Sequence, residues 1–210
     1  MSRYFKAVRS DGRNFHNGSV LYEPGWTYTV TGRDHRPALL CSDTVIHASK
    51  SPAETLIGGS WPCRLFEVDG EPVVSDHRKS GFREFTVVRE VPAWWALGPN
   101  GREVEWLLGK IADATPDEVR QLEAAWGAAW DAAWDAAWEA AWDATWEAAR
   151  GAARGAARGA ARDAAWEAAL GLTVRDLISA DQHDVLTGPF RSVFGDPPKF
   201  RGGGYPEWQS

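Results

Sequence analysis

A four-residue repeat between Ala124 and Ala169 constrains the fold of this 210-residue chain more than any other feature. Each unit holds an acidic residue or glycine, two small residues and then Trp or Arg, as in DAAW, EAAW, DATW and GAAR. The segment is rich in alanine and lacks proline, which favours an α-helix. Thr115 and Glu118 can form a capping box in front of it, and Gly171 is a natural stop. We therefore predict one long helix over residues 115–171, about 80 Å long if it is unbroken.

The aromatic positions of the repeat recur every fourth residue, a wider spacing than the 3.6 residues of a helical turn. Successive rings therefore rotate by about 40° around the helix, so one flat neighbour cannot cover them all. Left exposed, these rings would form an apolar patch larger than soluble monomers normally show. We expect protein to cover them, and the candidates are the N-terminal domain, the C-terminal helices, a second copy of the chain or another partner. The predicted interaction residues are Trp126, Trp130, Trp134, Trp138, Trp142, Trp146, Arg150, Arg154, Arg158 and Arg162.

Charge divides the repeat into two halves. The acidic half, residues 131–147, has Asp or Glu at every fourth position, and the arginine half, residues 150–162, has Arg in the phase of the tryptophans. Acids four residues apart on a helix repel each other mildly, so the acidic half favours a basic partner. Two copies paired antiparallel about residues 146 and 147 would bring the two halves together. We predict a homo-oligomer or a protein partner; the alternative is that the repeat packs on its own N-terminal domain.

Residues 1–95 are predicted to form an α+β head domain with a small, mostly antiparallel sheet. The β-type runs are Tyr4–Val8, Thr27–Val30, Arg64–Val68 and Arg83–Val91, with turn signals between them. The SPAE sequence at 51–54 predicts a short helix through about Leu56. Residues 96–114 are predicted as a connector. Residues 172–210 should hold two short helices, at 173–179 and 181–186, and a mobile tail.

The overall composition is that of a soluble globular protein, with 44% hydrophobic and 25% charged residues. The net charge of −6 gives no basic field, which makes nucleic acid an unlikely partner. Stacking of single-stranded nucleic acid on the Trp and Arg side chains is kept as a second alternative. No apolar run reaches the roughly 18 residues needed to cross a bilayer, and the first residues lack the apolar core of a signal peptide. We therefore expect no membrane partner and a cytoplasmic location.

Conventional catalytic and metal motifs are weak in this sequence. Cys41, His47 and Cys63, with His16 as a fourth ligand, could be assembled into a zinc site, but they lack a CxxC pair. His47 beside Ser49 or Cys63 could support nucleophilic catalysis, but no GxSxG-type elbow surrounds either residue. We therefore predict no metal and no cofactor. The weak catalytic candidates are His47, Ser49 and Glu67.

Residues 3–92 contain the segments YFKAVRSDGRNFHNG, YEPGWTYTV, VIHASKSPAETL, WPCRLFEVDGEPV and FREFTVVREV. On these segments the head resembles an uncharacterised domain family of bacteria and their phages. Ser49 stands where many members have cysteine, and Ile46 also departs from the family pattern. The C-terminal TVRDLISADQHDVLTGPFRSVFG is similar to the endings of actinobacterial and phage proteins with comparable repeats. The resemblance implies an accessory protein of such a source and brings no activity with it.

The order strand, HxS, short helix and strand ending in EV is similar to small ADP-ribosyltransferase folds. That resemblance implies an NAD-binding enzyme with His47 and Ser49 at the nicotinamide pocket and Glu67 near the ribose. Lys6 stands where those folds carry His or Arg on the first strand. We keep this enzyme as the alternative function, in which His47→Ala would abolish NAD binding. The principal interpretation is protein binding or self-assembly through the repeat.

Overall fold

Antiparallel sheets and helices occur together in this chain, as the α+β prediction requires. The computed structural model describes residues 3–33, 35–140, 168–169, 171–173, 175–200 and 205, and within 130–140 it describes only the backbone. The described residues fall into two units that meet in sequence at Ala96 and Leu97. The first unit is the head, and the second unit is helical.

The described residues of the head include seven strands, which form two antiparallel sheets. They are β1 (Tyr4–Arg9), β2 (Thr27–Thr29), β3 (Ile46–Ala48), β4 (Cys63–Asp69), β5 (Pro72–Ser75), β6 (Ser80–Phe82) and β7 (Glu84–Val91). One sheet has the order β1-β4-β7-β2 and the other β3-β6-β5. Short 3₁₀ helices span Pro52–Leu56 and Ala93–Leu97. The four predicted runs correspond to β1, β2, β4 and β7, whereas β3, β5 and β6 were not predicted.

Strand β1 has backbone partners on both of its sides. It pairs with β4 along its whole length, with Phe5 opposite Glu67. On its other side the Phe5 amide donates to the Ser49 carbonyl oxygen at 2.7 Å, and the Ser49 amide donates to the Phe5 carbonyl oxygen at 2.8 Å. Ser49 directly follows β3, so this pair joins the two sheets at β1.

The head core lies on the side of β1 that carries Tyr4 and Val8, because alternate residues of a strand face the same way. The buried members of this core are Tyr4, Val8, Tyr22, Ala48, Phe66, Val68, Phe82, Phe85 and Val87. The rings of Tyr4 and Phe82 meet edge to face, with centroids 4.9 Å apart. Each large apolar side chain buried here contributes about 1.5–3 kcal/mol. Residues from both sheets thus hold one core together.

The described part of the second unit contains three α-helices: α1 (Gly101–Ala112), α2 (Pro116–Ala140) and α3 (Ala180–Phe194). A 3₁₀ helix spans Arg175–Leu177, and residues 168–169 and 171–173 are also helical. Helix α1 occupies much of the predicted connector, because Val104, Leu107 and Leu108 give it a buried face. Helix α3 is longer than the predicted 181–186 segment, since Leu186 and Phe190 are both buried along it.

Helix α2 begins as the sequence predicts. The Thr115 amide donates to the Glu118 carboxylate at 2.7 Å, and the Glu118 amide donates to the Thr115 hydroxyl at 3.3 Å. These two bonds form the capping box and satisfy amides that the first helical turn leaves free. The helix is described through Ala140. The predicted continuation through residues 141–167 lies outside the described residues and stays a prediction.

Helix α3 contacts both α2 and Gly171, the second residue after the repeat. Helix α2 packs against α3, and Gly171 fits so closely that an added Cβ would lie 2.8 Å from Leu186 Cβ and 3.1 Å from Thr187 Cγ2. The sequence leaves open whether the predicted helix over 115–171 bends near Gly151, and that position lies outside the described residues.

Candidate functional site

The three predicted catalytic residues all lie in the head, around β1. His47 is in β3, Ser49 follows it, and Glu67 is in β4. Ser49 and Glu67 flank Phe5 on opposite sides, because each is the direct antiparallel partner of that residue. Two strand spacings, about 10 Å, separate them. The structure thus places Ser49 and Glu67 in one row across the sheet rather than in contact.

The Glu67 carboxylate is buried and already has two cationic partners. Its Oε2 accepts from Arg89 Nε at 2.8 Å and lies 2.6 Å from Arg89 Nη2. Its Oε1 lies 3.5 Å from Arg3 Nε. Arg89 is the cross-strand neighbour of Glu67 in β7, a position where opposite charges stabilise a sheet. In this arrangement Glu67 anchors two strands, and both of its oxygens are engaged.

The His47 imidazole acts as a hydrogen-bond acceptor. Its Nε2 accepts from the Cys41 backbone amide at 2.9 Å. Burial, followed by repulsion from Lys6 and Lys79, lowers the pKa of His47 to about 4. The ring is therefore neutral at physiological pH, which keeps the Nε2 lone pair available. His47 fixes the turn at Cys41, where φ is +59°, a left-handed conformation that is uncommon for residues other than glycine.

Lys6 is a polar residue on the core side of β1, and it was not among the candidate site residues predicted from the sequence. Its Nζ donates to the His47 carbonyl oxygen at 2.9 Å and lies 5.0 Å from the centroid of the Tyr22 ring. Burial lowers the pKa of Lys6 to about 8 and raises the pKa of Tyr22. Tyr4 and Val8, two residues to either side, share its face, so strand alternation was the signal that could have located it there.

The two cysteines lie in different surroundings. Cys41 is exposed, with its Sγ 2.7 Å from Lys79 Nζ, and Cys63 is buried in β4. The two do not form a disulfide with each other. Over the ranges that the structure describes, no three His, Cys, Asp or Glu side chains are grouped as metal ligands would be. None of the helices in those ranges combines the length and the apolar character needed to span a bilayer.

The predicted interaction residues are described only at the start of the repeat. Trp126 lies on α2 and is 6% exposed, and Leu122, one turn before it, is 1% exposed. The backbone positions of Trp130, Trp134 and Trp138 are helical. Outside the described residues lie Trp142, Trp146, Arg150, Arg154, Arg158 and Arg162. The first tryptophan of the repeat is therefore buried, and cover of the other positions stays a prediction.

Comparison with known proteins identifies no relative. No protein-family model, no curated protein and no solved structure matches this chain. The family resemblances of the head therefore remain predictions, and any function has to be inferred from the residues described above.

Proposed function

We propose that this chain works by protein binding through the repeat, and that the partner is a second copy of the chain. The observation that supports this proposal is the length of α2 compared with the helix packed against it. Helix α2 has 25 residues and α3 has 15. At 1.5 Å per residue they are about 37 and 22 Å long. Helix α3 alone is therefore too short to cover α2 from end to end.

Tryptophan spacing adds to the need for a second surface. Trp126 is buried near the start of α2, and positions 130, 134 and 138 each turn about 40° further around the helix axis. A neighbouring helix that packs against position 126 therefore does not face position 138. A second copy supplies additional apolar surface at these positions, and each indole that it buries removes roughly 150–250 Å² from water.

Charge complementarity supports an antiparallel arrangement of two copies. In the register centred on residues 146 and 147, Asp135 is set against Arg158 and Glu139 against Arg154. The same register sets tryptophans of one copy against glycines of the other, where there is room for a ring. Arginine near an indole face adds cation–π attraction. This register is inferred from the sequence, since residues 141–167 lie outside the described residues.

The solution mass of the intact chain tests the proposal. Sedimentation equilibrium is expected to give twice the chain mass, with association that weakens as salt screens the charge pairs. Trp138→Ala should weaken the dimer by about 3–5 kcal/mol if its ring is buried. The matched control is Trp26→Ala in the head, because Trp26 is 52% exposed. A monomer at every protein and salt concentration tested overturns the proposal.

Charge reversal tests the register separately. Glu139→Arg and Arg154→Glu should each weaken the dimer, because each places two like charges opposite one another. The double variant restores opposite charges and should recover the mass of the original chain. If the double variant associates no better than the single ones, the register is wrong even where the chain is a dimer.

A further inference from the structure

The second unit contains a cavity of about 280 Å³ between α1, α3 and the segment that follows α3. Its apolar lining comes from Trp106, Leu107, Leu172 and Phe190. The Trp106 and Phe190 rings meet edge to face with centroids 5.7 Å apart. The volume lies just below the range of drug-sized sites, so the ligand it suits is a small molecule.

Charged groups of both signs line the same cavity, and they are held in fixed pairs. Arg175 donates from Nη1 to Glu103 at 2.5 Å and from Nη2 to the Asn100 side-chain oxygen at 2.6 Å. Arg191 donates from Nε to Asp196 at 2.6 Å. Arg175, Glu103, Arg191 and Asp196 all belong to the lining. Two preorganised cation–carboxylate pairs thus face one partly apolar space.

His183 adds a polar atom, Nε2, that has no hydrogen-bond partner among the described residues. It also lines the cavity, and its Nε2 is buried with no hydrogen bond within the described part of the chain. Its Nδ1 lies 3.7 Å from Asp184 Oδ1, too far for a hydrogen bond. A buried polar atom without a partner is costly. A polar group of a ligand would supply the missing partner.

We propose that this cavity binds a free α-amino acid with an apolar or aromatic side chain. A simple anion is disfavoured because each lining arginine already faces a carboxylate, and a fully apolar ligand would desolvate both pairs without replacing water. A zwitterion offers a carboxylate to Arg175 or Arg191 and an ammonium group to Glu103, Asp196 or His183. Its side chain then contacts the aromatic lining. This proposal is independent of self-assembly through the repeat.

Calorimetric titration of the intact chain with L-phenylalanine and L-leucine tests the proposal, and saturable binding is expected. N-acetyl-L-phenylalanine lacks the ammonium charge, and L-phenylalaninamide lacks the carboxylate. Each should bind about tenfold to a hundredfold more weakly, because each loses a charge-assisted hydrogen bond to the lining pairs. Glycine, which lacks the apolar side chain, should not bind measurably. No binding of either amino acid, or binding of the two modified forms as tight as that of L-phenylalanine, overturns the proposal.

Substitution locates the site. The double variant Arg175→Gln with Glu103→Gln removes one lining pair and should abolish saturable binding. The matched control is Arg64→Gln with Glu90→Gln, which removes a comparable two-bond ion pair from the head, at 2.9 and 2.6 Å. Should the first variant fold poorly, amide NMR shifts of the original chain decide the matter. Shifts at Trp106, Leu172 and Phe190 support the site, and shifts confined to the head exclude it.

Discussion

Arg83 and Thr44 are 39 residues apart in the sequence, and the Arg83 Nη1 donates to the Thr44 carbonyl oxygen at 2.7 Å. The same nitrogen donates to the Arg33 carbonyl oxygen at 3.2 Å, and Nη2 donates to the Arg36 carbonyl oxygen. The described residues between Arg33 and Thr44 form no strand and no helix. One guanidinium therefore holds three backbone carbonyls of a segment that lacks a hydrogen-bonded ladder.

Replacing Arg83 should loosen that segment selectively. Arg83→Met keeps the length of the side chain and removes its donors, which costs about 1.5–3 kcal/mol for bonds from a charged group. Hydrogen exchange measured by mass spectrometry should accelerate in residues 33–44 and stay unchanged in β1 and β4. Arg78→Met, at an exposed bend, is the control. Unchanged exchange in residues 33–44 would show that Arg83 does not hold them.

The pH dependence of head stability should report on His47. Its pKa is about 4 in the folded chain and about 6.5 when unfolded. Between those values the unfolded state binds more protons, so the free energy of unfolding falls as the pH is lowered from 6.5 to 4. Because the ring is only partly buried, solvent screening keeps this loss below about 3 kcal/mol. NMR titration of the imidazole should show a neutral ring down to about pH 4, and a midpoint near 6.5 in the folded chain would contradict this assignment.

Lys6 should destabilise the head at neutral pH. Its pKa is lowered from 10.5 to about 8, so the unfolded state binds more protons between those values. Stability should therefore rise as the pH increases from 8 to 10.5, by about 3 kcal/mol at most. Lys6→Met should remove this rise in stability and should stabilise the head at pH 7. The loss of the hydrogen bond to the His47 carbonyl oxygen offsets part of that gain. Denaturant unfolding measures both effects, and Lys50→Met, at an exposed position, should preserve the rise.

Two glycines of the helical unit should respond in opposite directions to alanine. At Gly171 a Cβ would lie 2.8 Å from Leu186 Cβ, so Gly171→Ala overpacks the contact and should cost about 1–3 kcal/mol. At Gly109, on α1, a Cβ would meet nothing within 4 Å. Gly109→Ala should therefore stabilise the helix by roughly 0.5–1 kcal/mol. Thermal unfolding of the two variants measures the contrast, and a loss of stability in both would contradict the packing described at α3.

Four strands and the capping box of α2 could be predicted because local signals determine them, and the three-residue β2 lies in the β-type run Thr27–Val30. Strands β3, β5 and β6 have only three or four residues and are fixed by pairing with each other. Helix α1 has apolar residues at helical spacing, Val104, Leu107 and Leu108, which would have predicted a helix. Residues 96–114 were instead predicted as a connector. The prediction thus missed three short strands and one helix whose apolar spacing was visible in the sequence.

The candidate sites depended more on distant contacts than on local sequence. Glu67 could be singled out as a carboxylate, but its engagement with Arg89 follows from the register between β4 and β7. The cavity beside Trp106 joins residues from α1 and α3 with Lys199, which are far apart in the sequence. No local sequence pattern predicts that these residues lie together. The sequence therefore indicates candidate side chains but not the residues that they contact.

The position of β1 between its two backbone partners has a consequence for synthesis on the ribosome. The first strand of the head to emerge from the exit tunnel, Tyr4–Arg9, pairs with β4, which ends at Asp69, and β4 in turn pairs with β7, which ends at Val91. During synthesis, β1 therefore has no strand to pair with until most of the head has been translated. We therefore expect the ladder of this strand to form late in synthesis, and its unpaired edge to be open to unwanted pairing until then.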